Sequence, residues 1–153
     1  MIRICSVALL LAMLTATAFA TTEQQVFHLN RDAERAIGYA QAIRVGDTIY
    51  VSGTVARGPT FEEQLAGAYE RIGITLDAYG ATFADVVKET IYTTDFDALI
   101  EATPVRQRYY GSHVPAATWV GIERLYLPDA MLEIEVIAVV GSGAPAPGPR
   151  SDR

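Results

Sequence analysis

The chain has 153 residues, of which 50% are apolar and 20% charged. That is about one domain's length, with enough apolar residues for a packed core and too many for a disordered chain. A net charge of −6 and a pI near 4.8 argue against a nucleic-acid backbone or an anionic membrane surface as the main partner. Both need a basic patch, and no Lys/Arg cluster longer than a pair occurs.

Residues 1–20 form a separate unit. Arg3 supplies a positive start, Val7 to Leu14 an apolar run, and Ala18-Phe19-Ala20 an A-x-A cleavage site. This is the layout of a secretory signal peptide. The run is shorter than the roughly 20 apolar residues that span a bilayer. Cleavage after Ala20 is expected, with a periplasmic or secreted product and no stable membrane insertion afterwards. Cys5, the sole cysteine, leaves with the peptide, so residues 21–153 have no disulfide, thiol nucleophile or cysteine metal ligand.

Residues 25–29 read as a first strand. Residues 39–45 and 48–55 read as a hairpin around the Gly46-Asp47 turn. Thr60-Phe61-Glu62-Glu63 has the form of a capping box. It opens a helix whose apolar face is Leu65, Ala68, Ile72 and Leu76, and Gly80 closes that helix. Residues 86–94 form a strand whose buried face the pattern does not settle. Asp95 begins an irregular stretch. Thr103 is expected as the N-cap of a second helix, with Pro104 at its first position and Gly111 at its end. Residues 116–125 and 131–140 are the last strands. The Pro/Gly-rich segment 141–153 reads as a flexible tail. The fold expected over 21–140 is α+β: one mostly antiparallel sheet with two helices on one face. The other face is too apolar to meet water and is expected to pair with further subunits.

The sequence contains no GxGxxG, P-loop, GxSxG or HExxH pattern. His28 and His113 are far apart and read as structural or surface residues, not metal ligands. Nothing supports a triad built on Ser52 or Ser112. Glu133 and Glu135 are two apart in an otherwise apolar strand and so share a face. Carboxylates there are costly to bury unless paired or wetted. They are either a solvated face or a general acid/base in a pocket. Tyr39, Tyr109, Tyr110 and Trp119 line either a cleft or the core.

Several blocks then fall in a familiar order: Gly38-Tyr39-Ala40-Gln41-Ala42, Val45-Gly46-Asp47, Tyr50-Val51-Ser52-Gly53, Val86-Val87-Lys88-Glu89-Thr90, Asp95, Pro115-Ala116-Ala117-Thr118 and Glu133-Ile134-Glu135-Val136-Ile137-Ala138. Over residues 30–140 the chain resembles the RidA/YjgF family of reactive-intermediate deaminases. The resemblance implies a chorismate-mutase-like fold and a homotrimer with small-molecule sites in the clefts between subunits. It also implies hydrolysis of enamines and imines to carbonyl compounds and ammonia, without cofactor or metal. By position it makes Glu133 the group that handles water. Tyr39, Ser52, Thr103, Ala117, Thr118 and Trp119 become substrate-binding positions.

The chain departs from that pattern at one point. The family block reads Pro-Ala-Arg-Ser/Thr, and here Ala117 stands where the arginine clamps a substrate carboxylate. Such a bidentate clamp suits a guanidinium. Its loss costs a carboxylate ligand on the order of 2–5 kcal/mol. Arg106, Arg108 and Arg124 are the candidate replacements. Two functions are therefore carried forward: an exported imine/enamine hydrolase with altered substrate preference, and a non-catalytic small-molecule-binding or holdase-type trimer.

Overall fold

A computed structural model describes residues 23–143. The expected signal peptide and the tail beyond Gly143 lie outside them. Strands β1 (Gln24–Phe27), β2 (Ala42–Val45), β3 (Thr48–Thr54), β4 (Val86–Thr93), β5 (Ala116–Gly121) and β6 (Leu132–Val139) make one six-stranded sheet in the order β1-β2-β3-β6-β4-β5. All pairs are antiparallel except β4–β5, which is parallel. This is an α+β fold, as the sequence implied. The helices are α1 (Arg31–Ile37), α2 (Phe61–Asp77), α3 (Phe96–Glu101) and α4 (Thr103–Tyr110), with a 3-10 turn at Phe83–Asp85. Among the described residues no helix is long and apolar enough to cross a membrane.

The core lies between α2, α4 and one sheet face. Leu65, Tyr69, Ile72 and Leu76 of α2 pack with Ile91 of β4 and with Leu132, Ile134, Val136 and Ala138 of β6. Strict alternation along β6 buries these four residues and turns Glu133, Glu135, Ile137 and Val139 to the opposite face. There they meet Lys88, Thr90 and Tyr92 across the ladder, along with the half-exposed Tyr50 of β3.

Local structure departs from expectation at several places. The segment before Tyr39 is helical, and β2 begins only at Ala42. Asn30 caps α1 by accepting from the Ala33 N–H, and Gly38 ends it at φ 95°, a conformation that suits glycine. The stretch after Asp95 is also a helix, because the Asp95 carboxylate caps α3 through the Ala98 N–H. Thr103 is not an N-cap. Ala102 holds that position, and the Thr103 hydroxyl donates to the Ile100 carbonyl. Thr60 does cap α2 by accepting from the Glu63 N–H. The returning bond from the Glu63 carboxylate is absent among the described residues. β5 stops at Gly121, short of residue 125. The start of the tail is pinned: Gly143 N–H and the Ser142 hydroxyl bond to Asp85.

Candidate functional site

The register between β3 and β6 slips. Val51 faces Val136 and Thr54 faces Ile134, so Ser52 and Gly53 together oppose Glu135. This is a β-bulge, a device that re-aims side chains beside binding sites. At the bulge, the Glu133 side chain packs onto the backbone of Gly53. A Cβ on Gly53 would stand 1.8 Å from Glu133 Oε1, so only glycine leaves the carboxylate its place.

Glu133 lies in a cavity of about 360 Å³. Its walls are Ile37 at the end of α1, Tyr39 on the loop after it, Ser52 and Gly53 of β3, Val55 just beyond β3, and Tyr126 and Leu127 from the loop before β6. The lining contains one carboxylate, hydroxyl groups and apolar surface, and no cation. Burial, and then the neighbouring Glu135, push the Glu133 carboxyl above its usual range. Both favour the protonated form, so the group holds its proton more readily than an ordinary carboxyl and suits an acid/base role. Burial also raises the Tyr39 hydroxyl, helped by Glu34 and Glu133 and opposed by Arg71. Tyr39 therefore acts as a neutral donor. The Ser52 hydroxyl donates to the Ala40 carbonyl at 2.7 Å and its N–H to the Gln41 carbonyl at 2.9 Å. These bonds tie the Tyr39 loop to β3 and leave only the oxygen lone pairs of Ser52 for a ligand.

Glu34, which has no sequence signal, lies behind the Tyr39 loop. It is buried in α1, and its carboxylate accepts from His28 Nδ1 at 2.6 Å, Asn30 N–H at 2.7 Å and Gln41 N–H at 3.0 Å. Burial alone would raise its carboxyl, but these bonds together hold it below its usual range. His28 is thus structural. So is His113, whose Nε2 meets the Val86 carbonyl at 2.7 Å. Among the described residues no group of three His, Cys, Asp or Glu side chains could hold a metal ion.

The predicted site residues fall into two sets. Tyr39, Ser52 and Glu133 share the cavity. Thr103, Ala117, Thr118 and Trp119 lie apart from it. Ala117 and Trp119 pair with Glu89 and Ile91, which places them on the helix side of β5, and Ala117 is exposed at the sheet edge. Thr118 is on the other face, where its hydroxyl bonds Lys88 Nζ. Beneath Ala117, the fully buried Glu89 accepts from Tyr69 and Tyr110 hydroxyls at 2.8 Å each and from Arg106 Nε at 2.7 Å. The Arg106 guanidinium sits 4.6 Å over the Tyr110 ring and 5.8 Å from that of Trp119. Arg106 is therefore near Ala117, but Glu89 neutralises its charge.

Residues 30–140 match the family model described as Endoribonuclease L-PSP. A RutC family protein of Pyrococcus abyssi is 35% identical over 115 residues, spanning 69% of this chain and 90% of the relative. A Homo sapiens 2-iminobutanoate/2-iminopropanoate deaminase is 30% identical over 118 residues, spanning 71% and 85%. The crystal structure of a Mycobacterium tuberculosis member of the YjgF/YER057c/UK114 family overlays with a TM-score of 0.73 at 34% identity, covering 77% of this chain and 100% of that one. The chain belongs to the RidA/YjgF family. Within that family frame, Gly53 could be found in the sequence as part of the Tyr50–Gly53 block. Its contact with Glu133, and the walls supplied by Ile37, Tyr126 and Leu127, come only from the fold.

Proposed function

We propose that this RidA/YjgF protein is an exported hydrolase of imines and enamines that lack a carboxylate, acting as a homotrimer. The observation that carries the reading is Glu133: a half-buried carboxyl with a raised pKa, set on Gly53 in a cavity without a cation. In its protonated form Glu133 gives its proton to the imine nitrogen. As a carboxylate it then takes a proton from water as the oxygen attacks the iminium carbon. The carbinolamine collapses to C=O and ammonia, so one imine and one water become one carbonyl and one NH3. The Tyr39 hydroxyl and the Ser52 oxygen orient the substrate.

Several features support the finer parts of this reading. The deaminase name of the human relative supplies the reaction class. Alanine at position 117 and the pairing of Arg106 with Glu89 remove the guanidinium from the clamp position itself, which disfavours 2-imino acids. An apolar cavity holding one acid favours neutral or cationic imines instead. Tyr50, Ile137 and Val139 on the sheet face opposite α2 and α4 motivate the trimer. The arrangement at residues 1–20 motivates export. RNA cleavage fits poorly with a net charge of −6.

The test is ammonia release from freshly generated imines, with and without a carboxylate. Wild type should act faster on the uncharged ones, and Glu133→Gln should lose about 10²–10⁴-fold. Ala117→Arg should raise turnover of the carboxylate-bearing imines. Release no faster than the buffer blank for every imine would leave the second reading, a non-catalytic binding trimer. That reading is favoured by Ala117 and by the commitment of the Ser52 hydroxyl to Ala40.

A further inference from the structure

Tyr39 stands on a short loop between a seven-residue helix and strand β2, so something must hold it still. The backbone supplies little. Gly38 has the left-handed φ of 95°, and α1 is too short to be stable alone. Glu34 provides what the backbone lacks. Its carboxylate reaches back to Asn30 N–H and His28 Nδ1 and forward to Gln41 N–H. Its carbonyl accepts from both Gly38 N–H at 2.8 Å and Tyr39 N–H at 3.1 Å. One residue thus closes the chain on both sides of Tyr39. The loop is then passed on to the cavity wall: Gln41 carbonyl accepts from Ser52 N–H, and Gln41 Nε2 donates to Thr54 Oγ1 at 2.8 Å. Glu34 is 2% exposed. A buried carboxylate with three donors around it is costly to disturb. Because a carboxylate only accepts, the proton of the His28 bond is on Nδ1.

We infer that Glu34, oriented by His28, is the positioning residue for Tyr39. It fixes the tyrosine hydroxyl over the Glu133 cavity, although it touches neither the cavity nor a ligand. The inference rests on the hydrolase reading only for its kinetic consequence; the placement of Tyr39 is independent of turnover. Glu34→Gln keeps the size of the side chain, but turns an NH2 towards donors that need an acceptor. The loop should then release Tyr39.

The experiment follows ring 13C–1H signals of labelled tyrosine, with the Tyr39 signal assigned by its loss in Tyr39→Phe. In Glu34→Gln the Tyr39 signal should shift or broaden while those of the buried Tyr69 and Tyr110 stay in place. His28→Gln leaves Glu34 its two backbone donors and should move the same signal less. It carries the test if Glu34→Gln does not fold. The kinetic arm uses uncharged imines. Glu34→Gln should lose about tenfold in kcat/KM, as supporting residues commonly do, and should add no further loss to Tyr39→Phe. A Tyr39 signal unchanged in both variants, or fully additive losses in the double variant, overturns the inference. If wild type turns over no imine, the hydrolase reading falls and the tyrosine spectra alone decide this one.

Discussion

Glu89 and Glu133 occupy neighbouring strands of one sheet, on opposite faces, and their surroundings differ in every respect that governs reactivity. Glu89 is wholly buried, yet each of its oxygens is engaged by Tyr69, Tyr110 or Arg106. Glu133 is half-buried and has no hydrogen-bond partner among the described residues. It has an acidic neighbour in Glu135, and its carboxyl is pushed up. The first carboxylate has been satisfied and so serves the fold. The second has been denied partners and so is available to a substrate. Depth of burial alone would have ranked them the other way. What separates structural from chemical carboxylates here is the count of donors around each.

The largest effect should come from breaking the satisfied side. Glu89→Gln leaves Arg106 buried beside a neutral amide and disturbs two tyrosine hydroxyls. Removing one partner of such a pair costs about 3–5 kcal/mol. The urea midpoint should fall accordingly, with an unchanged slope. A midpoint within error of wild type would mean that Glu89 is not the anchor its bonds describe. Next in size is Gly53→Ala. The added Cβ meets Glu133 Oε1 at 1.8 Å, so the flexible carboxylate must swing away from the bulge. Stability should change by less than about 1 kcal/mol, because the atom that must move is the free end of a side chain and alanine suits a strand better than glycine. Imine turnover should drop more steeply, on the order of 10²-fold, because misplacing a reacting group by an ångström is enough to do so. A variant with full turnover would show that the close packing on Gly53 has no part in the chemistry.

The same contrast explains what could be read from the sequence. Glu133 and Glu135 stood out because two carboxylates at i, i+2 in an apolar strand must share a face, and the alternation in β6 is regular over its whole length. Glu89 did not stand out. The register of β4 slips between Val86 and Lys88, and its residues alternate without an apolar face that period two can identify. The long helix α2 was legible from Thr60 and its 3.6-residue apolar repeat. Both α1 and α3 were missed, because each is under two full turns of pattern and is held by side-chain caps from Asn30 and Asp95. The fold was legible because its sheet and its main helix are written in periodicity. The cavity half of the site followed from motif order. The Glu34 contacts with His28 and Gln41 and the Arg106 contact with Glu89 join residues six or more apart in sequence, and no local pattern encodes such a pairing.

The smallest expected effect sharpens the comparison most, because its sign is opposite to that for Glu89. A carboxyl whose folded-state pKa is raised binds its proton more tightly when folded than when unfolded. Below the unfolded value of about 4.3 both states are protonated and folding carries no penalty. As pH rises from there through the raised folded value, the folded state must ionise Glu133 beside Glu135 in partial burial, and stability is lost. The penalty grows until the pH has passed that raised value. Glu133→Gln removes it and keeps the side chain's shape, so the variant should melt slightly above wild type at pH 7, on the order of 1–3 °C. At pH 3.5 the difference should vanish. A lower melting temperature at pH 7 would mean that Glu133 has hidden donors, as Glu89 does, and that the cavity carboxylate stabilises the fold instead of straining it.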